Sequence, residues 1–123
     1  MNYAQIHIGG KDRGLKFNQG AVDVYFQKLN YSEIGASAIY ATFYAGLIGN
    51  CIVKGEQADF DFEQVCDWVD GLYEQGKREE IEKVCAVFAD ANSYKQRLAE
   101  ITDRIRTMGA TDTDEEKKKE VLT

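Results

Sequence analysis

The stretch Ile34–Val53, IGASAIYATFYAGLIGNCIV, is twenty residues long and contains no charged side chain. That length could span a lipid bilayer. Ser37, Thr42, Asn50 and three glycines, however, lower its average hydrophobicity below that of typical spans. A helix that is apolar on all sides also suits the centre of a small domain. The sequence therefore predicts a buried central helix at 36–54, with a membrane anchor as the alternative.

A β-hairpin is predicted before this helix. Residues 3–8 alternate between apolar and polar or aromatic side chains, which is the period of a strand that faces a core on one side. The glycine-rich segment 9–14, GGKDRG, reads as the turn, and the alternation resumes at 15–17. Because a two-stranded hairpin is only marginally stable alone, we expect the hairpin at 3–17 to pack on the helices.

Apolar residues at helical spacing predict four more helices around the central one. Asn18, Asp61 and Ser93 are suitable N-cap residues for the first, third and fifth helices. Gly55 and Gly76 suit the left-handed conformation that often ends a helix. The predicted helices lie at about 19–30, 36–54, 62–75, 78–91 and 94–108.

These elements predict a single domain at 1–108 followed by a flexible polar tail at 109–123. The chain of 123 residues is long enough for one domain and short for two. Proline is absent, which favours uninterrupted helices. The expected fold class is α+β, mostly α, with the N-terminal hairpin packed on a bundle of about four to five helices.

The charge of the chain is distributed unevenly. The 15 basic and 21 acidic residues give a net charge of -6. Residues 1–58 contribute 5 basic and 4 acidic residues, whereas residues 59–123 contribute 10 and 17. Six acids and no base lie between Asp59 and Glu74. This acidic balance argues against nucleic-acid binding. The acidic segment is either a solvated helix face or a surface for a basic partner.

Little in the chain suggests catalysis or metal binding. There are one histidine and three cysteines, without a CxxC pair or a nearby acid that would complete a triad. The N-terminus lacks the basic region and apolar run of a signal peptide, so we expect a reducing cytoplasm. The sequence predicts no catalytic residue, no cofactor and no metal, and hence no enzyme.

Protein contact is the remaining function class that the residues favour. The apolar residues of the fifth helix are spaced by 4, 3, 4 and 3, which is a heptad seam, although two heptads are short for a coiled coil. The seam could dock on the helices of its own domain or on those of a partner. Trp68 borders the apolar stripe of the third helix and is either core-edge packing or a partner-binding anchor. The candidate contact residues are Tyr94, Leu98, Ile101, Ile105, Met108 and Trp68.

Four blocks of the chain resemble the tail assembly chaperones of long-tailed bacteriophages. The first, at 6–29, is IHIGGKDRGLKFNQGAVDVYFQKL, in which a strand, an IGGK turn and an LKF strand lead into a helix. The order and spacing of the blocks, more than any one motif, carry the resemblance over about residues 5–96. The other blocks are YAGLIGNCIVKG at 44–55, DFDFEQVCDWVDGL at 59–72 and REEIEKVCAVFADANSYK at 78–95.

This resemblance implies a non-enzymatic assembly factor. Such proteins bind the tape-measure protein, keep its long apolar helices soluble and help recruit tail-tube subunits. They act in the cytoplasm of the bacterial host, are absent from the mature virion and often also exist as a longer frameshifted form. The seam of the fifth helix is then expected to mediate tape-measure contact or self-association. The alternatives are a small cytoplasmic helical adaptor or regulator unrelated to tails, and a membrane-anchored small protein.

Overall fold

The computed structural model describes the backbone of residues 1–113 and the side chains of residues 1–107. An antiparallel two-stranded hairpin precedes five helices, which confirms the predicted α+β, mostly α, fold class. The elements are β1 (Tyr3–Ile8), β2 (Lys11–Lys16), α1 (Gln19–Lys28), α2 (Ile34–Lys54), α3 (Phe62–Glu74), α4 (Arg78–Asp90) and α5 (Asn92–Thr113).

The hairpin turn is shorter than the predicted segment 9–14. Only Gly9 and Gly10 form the turn, with φ of 62° and 85°, and β2 pairs with β1 from Lys11 onward. Two consecutive residues with positive φ match the tight turn that follows the natural twist of a hairpin. The inner face of β1 carries Ala4, Ile6 and Ile8, all of which are buried.

Helix α2 occupies the centre of the fold and packs against α1, β2, α3 and α4. It is long and apolar enough to cross a membrane by length and composition, a test that core helices of soluble proteins also pass. Its middle, residues 41–47, is buried apart from the half-buried Tyr44. A Cβ on Gly46 would approach the Phe17 ring to 2.8 Å, and a Cβ on Gly49 would collide with the Lys16 carbonyl oxygen. These glycines therefore allow α2 to lie directly against β2.

An aromatic cluster joins the hairpin to α1, α4 and α5. The Phe88 ring lies 5.0 Å from Phe17, 4.7 Å from Tyr25 and 4.3 Å from Tyr94, measured between ring centroids. Tyr94 also stacks on Phe26 at 6.4 Å. Offset and tilted contacts at these distances are favourable for aromatic pairs. The start of α5 is therefore attached to the core.

Most helix ends follow the predicted capping residues. The Asn18 side chain accepts a hydrogen bond from the first turn of α1, and Asp61 forms a capping box at the start of α3. Gly55 and Gly76 have φ of 66° and 75° where α2 and α3 end. These capping predictions are confirmed, because each depends on interactions within a few residues.

The predicted N-cap at Ser93 is wrong. Helix α5 begins at Asn92, one residue after the extended Ala91 that follows α4. Ser93 instead donates a hydrogen bond from its hydroxyl to the Phe17 carbonyl oxygen at 2.6 Å. The hydroxyl thus ties α5 to the end of the hairpin.

Helix α5 is longer than predicted at its C-terminal end. The sequence predicts an end at 108 and a polar tail from 109, whereas the helix continues to Thr113. The polar residues 109–113 are therefore helical in the backbone. The prediction of a flexible tail for 114–123 lies outside the described residues.

Candidate protein-binding surface

The apolar seam of α5 is partly buried and partly exposed. Tyr94 is half-buried in the aromatic cluster, whereas Leu98 is 42% exposed and Ile105 is 62% exposed. Ile101, between them, is half-buried. The side chain of Met108 lies outside the described residues. The term "α5 seam" below denotes the positions 94, 98, 101, 105 and 108.

The first turns of α5 fasten the helix to the domain. The Arg97 guanidinium forms an ion pair with Asp23 of α1 at 2.7 Å, next to the contacts of Ser93 and Tyr94. From residue 98 to 106, the ion pairs stay within α5, as between Arg106 and Asp103 at 3.1 Å. Helix α5 is thus anchored at one end, and beyond Arg97 its apolar side chains Leu98 and Ile105 are exposed.

Trp68 has a different role from the seam in this structure. Its ring lies under the hairpin turn, since a Cβ on Gly9 would come within 2.6 Å of it. The Arg13 guanidinium stacks 4.7 Å from the ring centroid, and the Phe60 ring lies at 6.0 Å. Trp68 is half-buried and engaged by its own domain. Among residues 1–107, the structure does not bring it together with the seam.

Arg13 connects the hairpin to Asp59 and Trp68, and the sequence analysis missed this role. The sequence predicts Arg13 in the turn at 9–14, where its side chain would point into solvent. Its side chain is 9% exposed and donates hydrogen bonds to the Ile8 carbonyl at 2.9 Å and to Asp59 at 2.8 Å. The guanidinium holds the pKa of Asp59 down at about 2. The strand pairing could have revealed this role. A two-residue Gly9–Gly10 turn pairs Arg13 with the buried Ile6, so that both side chains lie on the inner face of the hairpin.

The acidic segment from Asp59 to Glu74 is partly engaged within the domain. Asp59 pairs with Arg13 and Lys11, and Asp61 caps α3. Asp70 accepts a hydrogen bond from the Tyr40 hydroxyl at 2.6 Å, which raises the pKa of Tyr40 to about 12. Within residues 1–107, the acids of this segment whose carboxylates form neither a hydrogen bond nor an ion pair are Glu63, Asp67 and Glu74, all exposed on α3.

Side chains that could bind a metal ion or act as a nucleophile are few among the residues that the structure describes. The side chains of residues 1–107 include no group of three or more His, Cys, Asp or Glu that could bind a metal ion. His7 lies 2.9 Å from Asp12 on the exposed face of the hairpin. Burial raises the pKa of the Cys51, Cys66 and Cys85 thiols, so the nucleophilic thiolate forms less readily.

Comparison with known proteins adds no relative: no protein-family model, no curated protein and no solved structure matches the chain. Of the surfaces described above, the α5 seam combines apolar side chains at coiled-coil spacing with exposure beyond the anchored end of its helix.

Proposed function

We propose that this protein is a bacteriophage tail assembly chaperone, without enzymatic activity, that binds the tape-measure protein, keeps it soluble and helps recruit tail-tube subunits. The observation that supports a helical partner is the exposure of Leu98 and Ile105, seven residues apart on one face of α5. The tail context comes from the resemblance of the blocks within residues 6–95.

A chaperone of long apolar helices needs an apolar surface that accepts a helix. Partners of this kind are recognised through side chains at helical spacings, as in the α5 seam. Burying a whole Leu or Ile side chain gains about 1.5–3 kcal/mol, and Leu98 and Ile105 are only partly exposed. A single seam therefore binds weakly and reversibly. A long tape-measure protein would be retained by many copies acting together, and release would remain easy.

Co-expression with a tape-measure protein tests this proposal. We expect the chain to raise the soluble fraction of the tape-measure protein and to copurify with it. The Leu98→Glu, Ile105→Glu double variant should lose both effects, because two carboxylates interrupt the seam. Both side chains are well exposed, so the variant should fold normally, which circular dichroism can confirm.

A matched control replaces exposed apolar residues elsewhere. Ile34 and Val53, at opposite ends of α2, are 54% and 62% exposed, and the Ile34→Glu, Val53→Glu variant should keep full activity. Equal solubilisation by the seam variant, or none by the native chain, would contradict the proposal. In the second case, the adaptor hypothesis becomes the better account, since an adaptor would use the seam without affecting tape-measure solubility.

A further inference from the structure

Strand β1 has an outer edge whose main-chain groups are unpaired. Hydrogen bonds between the two strands alternate along the hairpin, and the Asn2 carbonyl accepts one from the Phe17 N–H at 2.7 Å. The even-numbered residues of β1 therefore face β2. The residues whose N–H and C=O groups point outward are Tyr3, Gln5 and His7. Within residues 1–107, these outward groups form no hydrogen bond with the rest of the protein.

This edge lacks the features that usually protect a free strand. Residues 3–8, YAQIHI, contain no Lys, Arg, Asp, Glu or Pro, and their register with β2 is continuous. Charges, prolines and bulges are the common means of preventing a free edge from pairing with another strand. The outer edge of β2, by contrast, is partly covered by α2, because the Lys16 carbonyl oxygen lies against Gly49. The edge of β1 is therefore the one suited to pairing.

A groove runs along this edge, between β1 and the helices α3 and α4. Beside the middle of β1, a cleft of about 330 Å³ separates Gln5 and His7 from Glu80, Lys83 and Val84 of α4. Towards the turn, a cleft of about 500 Å³ continues from His7 between β1 and α3. A strand paired with β1 would lie about 4.8 Å from it, which is inside this groove.

A second copy of β1 fits this groove poorly. Helix α4 packs under β1, and its Glu80 and Lys83 line the cleft beyond the strand edge. Two paired β1 strands would lie about 4.8 Å apart, so the two α4 helices beneath them would be brought to a similar separation. Packed helices need about 8–10 Å between their axes. The groove therefore suits an extended segment that has no helix beneath it.

The groove also indicates which side chains such a segment carries. Its inward side chains would continue the inner face formed by Ala4 and Ile6 and would lie over Val84, so they should be apolar. Glu80 and Lys83 at the rim have opposite charges, and the groove thus favours neither sign. An uncharged segment with alternating apolar residues meets both conditions.

We infer that the edge of β1 binds an extended, uncharged segment of a partner protein as a third strand, with alternate apolar side chains facing α4. In this mode of recognition, main-chain hydrogen bonds provide affinity and alternate side chains provide specificity. The edge shares no residue with the α5 seam, so the inference does not depend on the proposed function.

A synthetic peptide tests this inference. Thr and Val alternate over six positions of the peptide, and a Lys at each end keeps it soluble. In proton–nitrogen NMR spectra of the full chain, the amide signals of Tyr3, Gln5 and His7 should shift on titration, whereas that of Leu98 should not. No shift of the three signals at about 1 mM peptide would overturn the inference, since even weak strand pairing is detectable there.

Two N-methylated forms of the peptide provide a matched comparison. Successive residues of a strand direct their N–H groups to opposite edges, so methylation at every Thr blocks one edge and methylation at every Val blocks the other. One form should bind about tenfold more weakly or worse, and the other should bind like the unmethylated peptide. Equal affinities of the two forms would show that main-chain pairing is not responsible, and the inference would fail.

The Gln5→Pro variant tests the edge from the side of the protein. Proline removes the outward N–H, and the hydrogen bonds to β2 remain because this N–H takes no part in them. We expect peptide binding to weaken about tenfold. The control Gln5→Thr keeps the N–H and should bind like the native chain, with circular dichroism as the check on folding. Equal binding by the two folded variants would contradict the inference, and if Gln5→Pro does not fold, the methylated peptides decide.

Hydrogen exchange of the full chain without peptide tests the other occupants. The amides of Tyr3, Gln5 and His7 should exchange rapidly, because their N–H groups face solvent. Protection that increases with protein concentration would place a second copy on the edge, and protection at every concentration would place another part of the same chain there. Either result would overturn the inference. A failure to solubilise the tape-measure protein would contradict only the proposed function.

Discussion

Helices α2 and α5 have nearly the same length, 21 and 22 residues, but opposite environments. Helix α2 is surrounded by α1, β2, α3 and α4, whereas α5 contacts α1 and α4 through its first turns. Burial on several sides accords with a sequence that has no charge before Lys54 and has small residues, such as Gly46 and Gly49, at close contacts. Anchoring at one end leaves a narrow apolar seam among charged residues.

This difference separates stability from binding within one small domain. Substitutions around α2 and the aromatic cluster should change the free energy of unfolding, because they alter buried contacts. Substitutions in the exposed part of α5 should change partner binding and leave the fold intact. The predictions below test that separation, beginning with the largest expected effect on stability.

The largest effect is expected for Phe88→Ala. Its ring contacts Phe17, Tyr25 and Tyr94, so the variant removes the centre of the cluster and loosens the start of α5. We expect urea denaturation to show a loss of about 3–5 kcal/mol. The control Tyr31→Ala removes an aromatic side chain that is 66% exposed and should change stability little. Similar stabilities for the two variants would contradict the central role of the cluster.

The next effect concerns the close approach of α2 to β2. Gly49→Ala would place a methyl group against the Lys16 carbonyl oxygen, which is backbone and cannot move aside easily. We expect a loss of about 1–3 kcal/mol in denaturant titration, typical of overpacking. Gly71→Ala in α3 is the matched control, because no atom lies within 4 Å of its added Cβ. That change should stabilise the helix by about 0.5–1 kcal/mol, and equal signs for the two variants would contradict the packing argument.

Local sequence signals account for the parts of this fold that could be predicted. The caps at Asn18 and Asp61 and the helix ends at Gly55 and Gly76 depend on neighbours a few residues away. The central helix α2 was predictable because its length and its lack of charge can be seen in one continuous stretch of sequence. Fold class and element order therefore follow from patterns along the chain.

Contacts between distant residues account for what could not be predicted. Arg13 is fixed by Asp59, 46 residues away, and the Ser93 hydroxyl is taken by the Phe17 carbonyl, 76 residues away. At the candidate site, the spacing of the α5 seam is visible in the sequence. The exposure of Leu98 and Ile105 is not, because it depends on how far α1 and α4 cover α5.

A smaller effect with a defined pH dependence is expected for Asp59→Asn. Arg13 lowers the pKa of Asp59 from 3.8 to about 2, so the folded state favours the charged carboxylate. This contribution is complete above the unfolded pKa of about 4 and is lost as the pH falls towards 2. The variant should therefore have a lower Tm than the native chain at pH 7, and the difference should shrink between pH 4 and 2.

The control for this pH dependence is Asp67→Asn. Asp67 is exposed on α3 and has no ion-paired partner within residues 1–107, so its substitution should cause no comparable change in Tm. A Tm difference for Asp59→Asn that stays constant from pH 7 to pH 2 would show that the ion pair with Arg13 is not its cause.

The smallest effect on stability is expected for Ile105→Ser, and it tests the α5 side of the comparison. The side chain is 62% exposed and lies two turns beyond Arg97, the last residue of α5 with an ion pair to another element in the described chain. We expect the free energy of unfolding to change by less than about 0.5 kcal/mol. Hydrogen exchange should show why, since amides of α5 after Arg97 should exchange faster than those of α2 at 41–47. A large loss of stability, or equal protection in both helices, would mean that the exposed part of α5 belongs to the folding core, and the separation of stability from binding would fail.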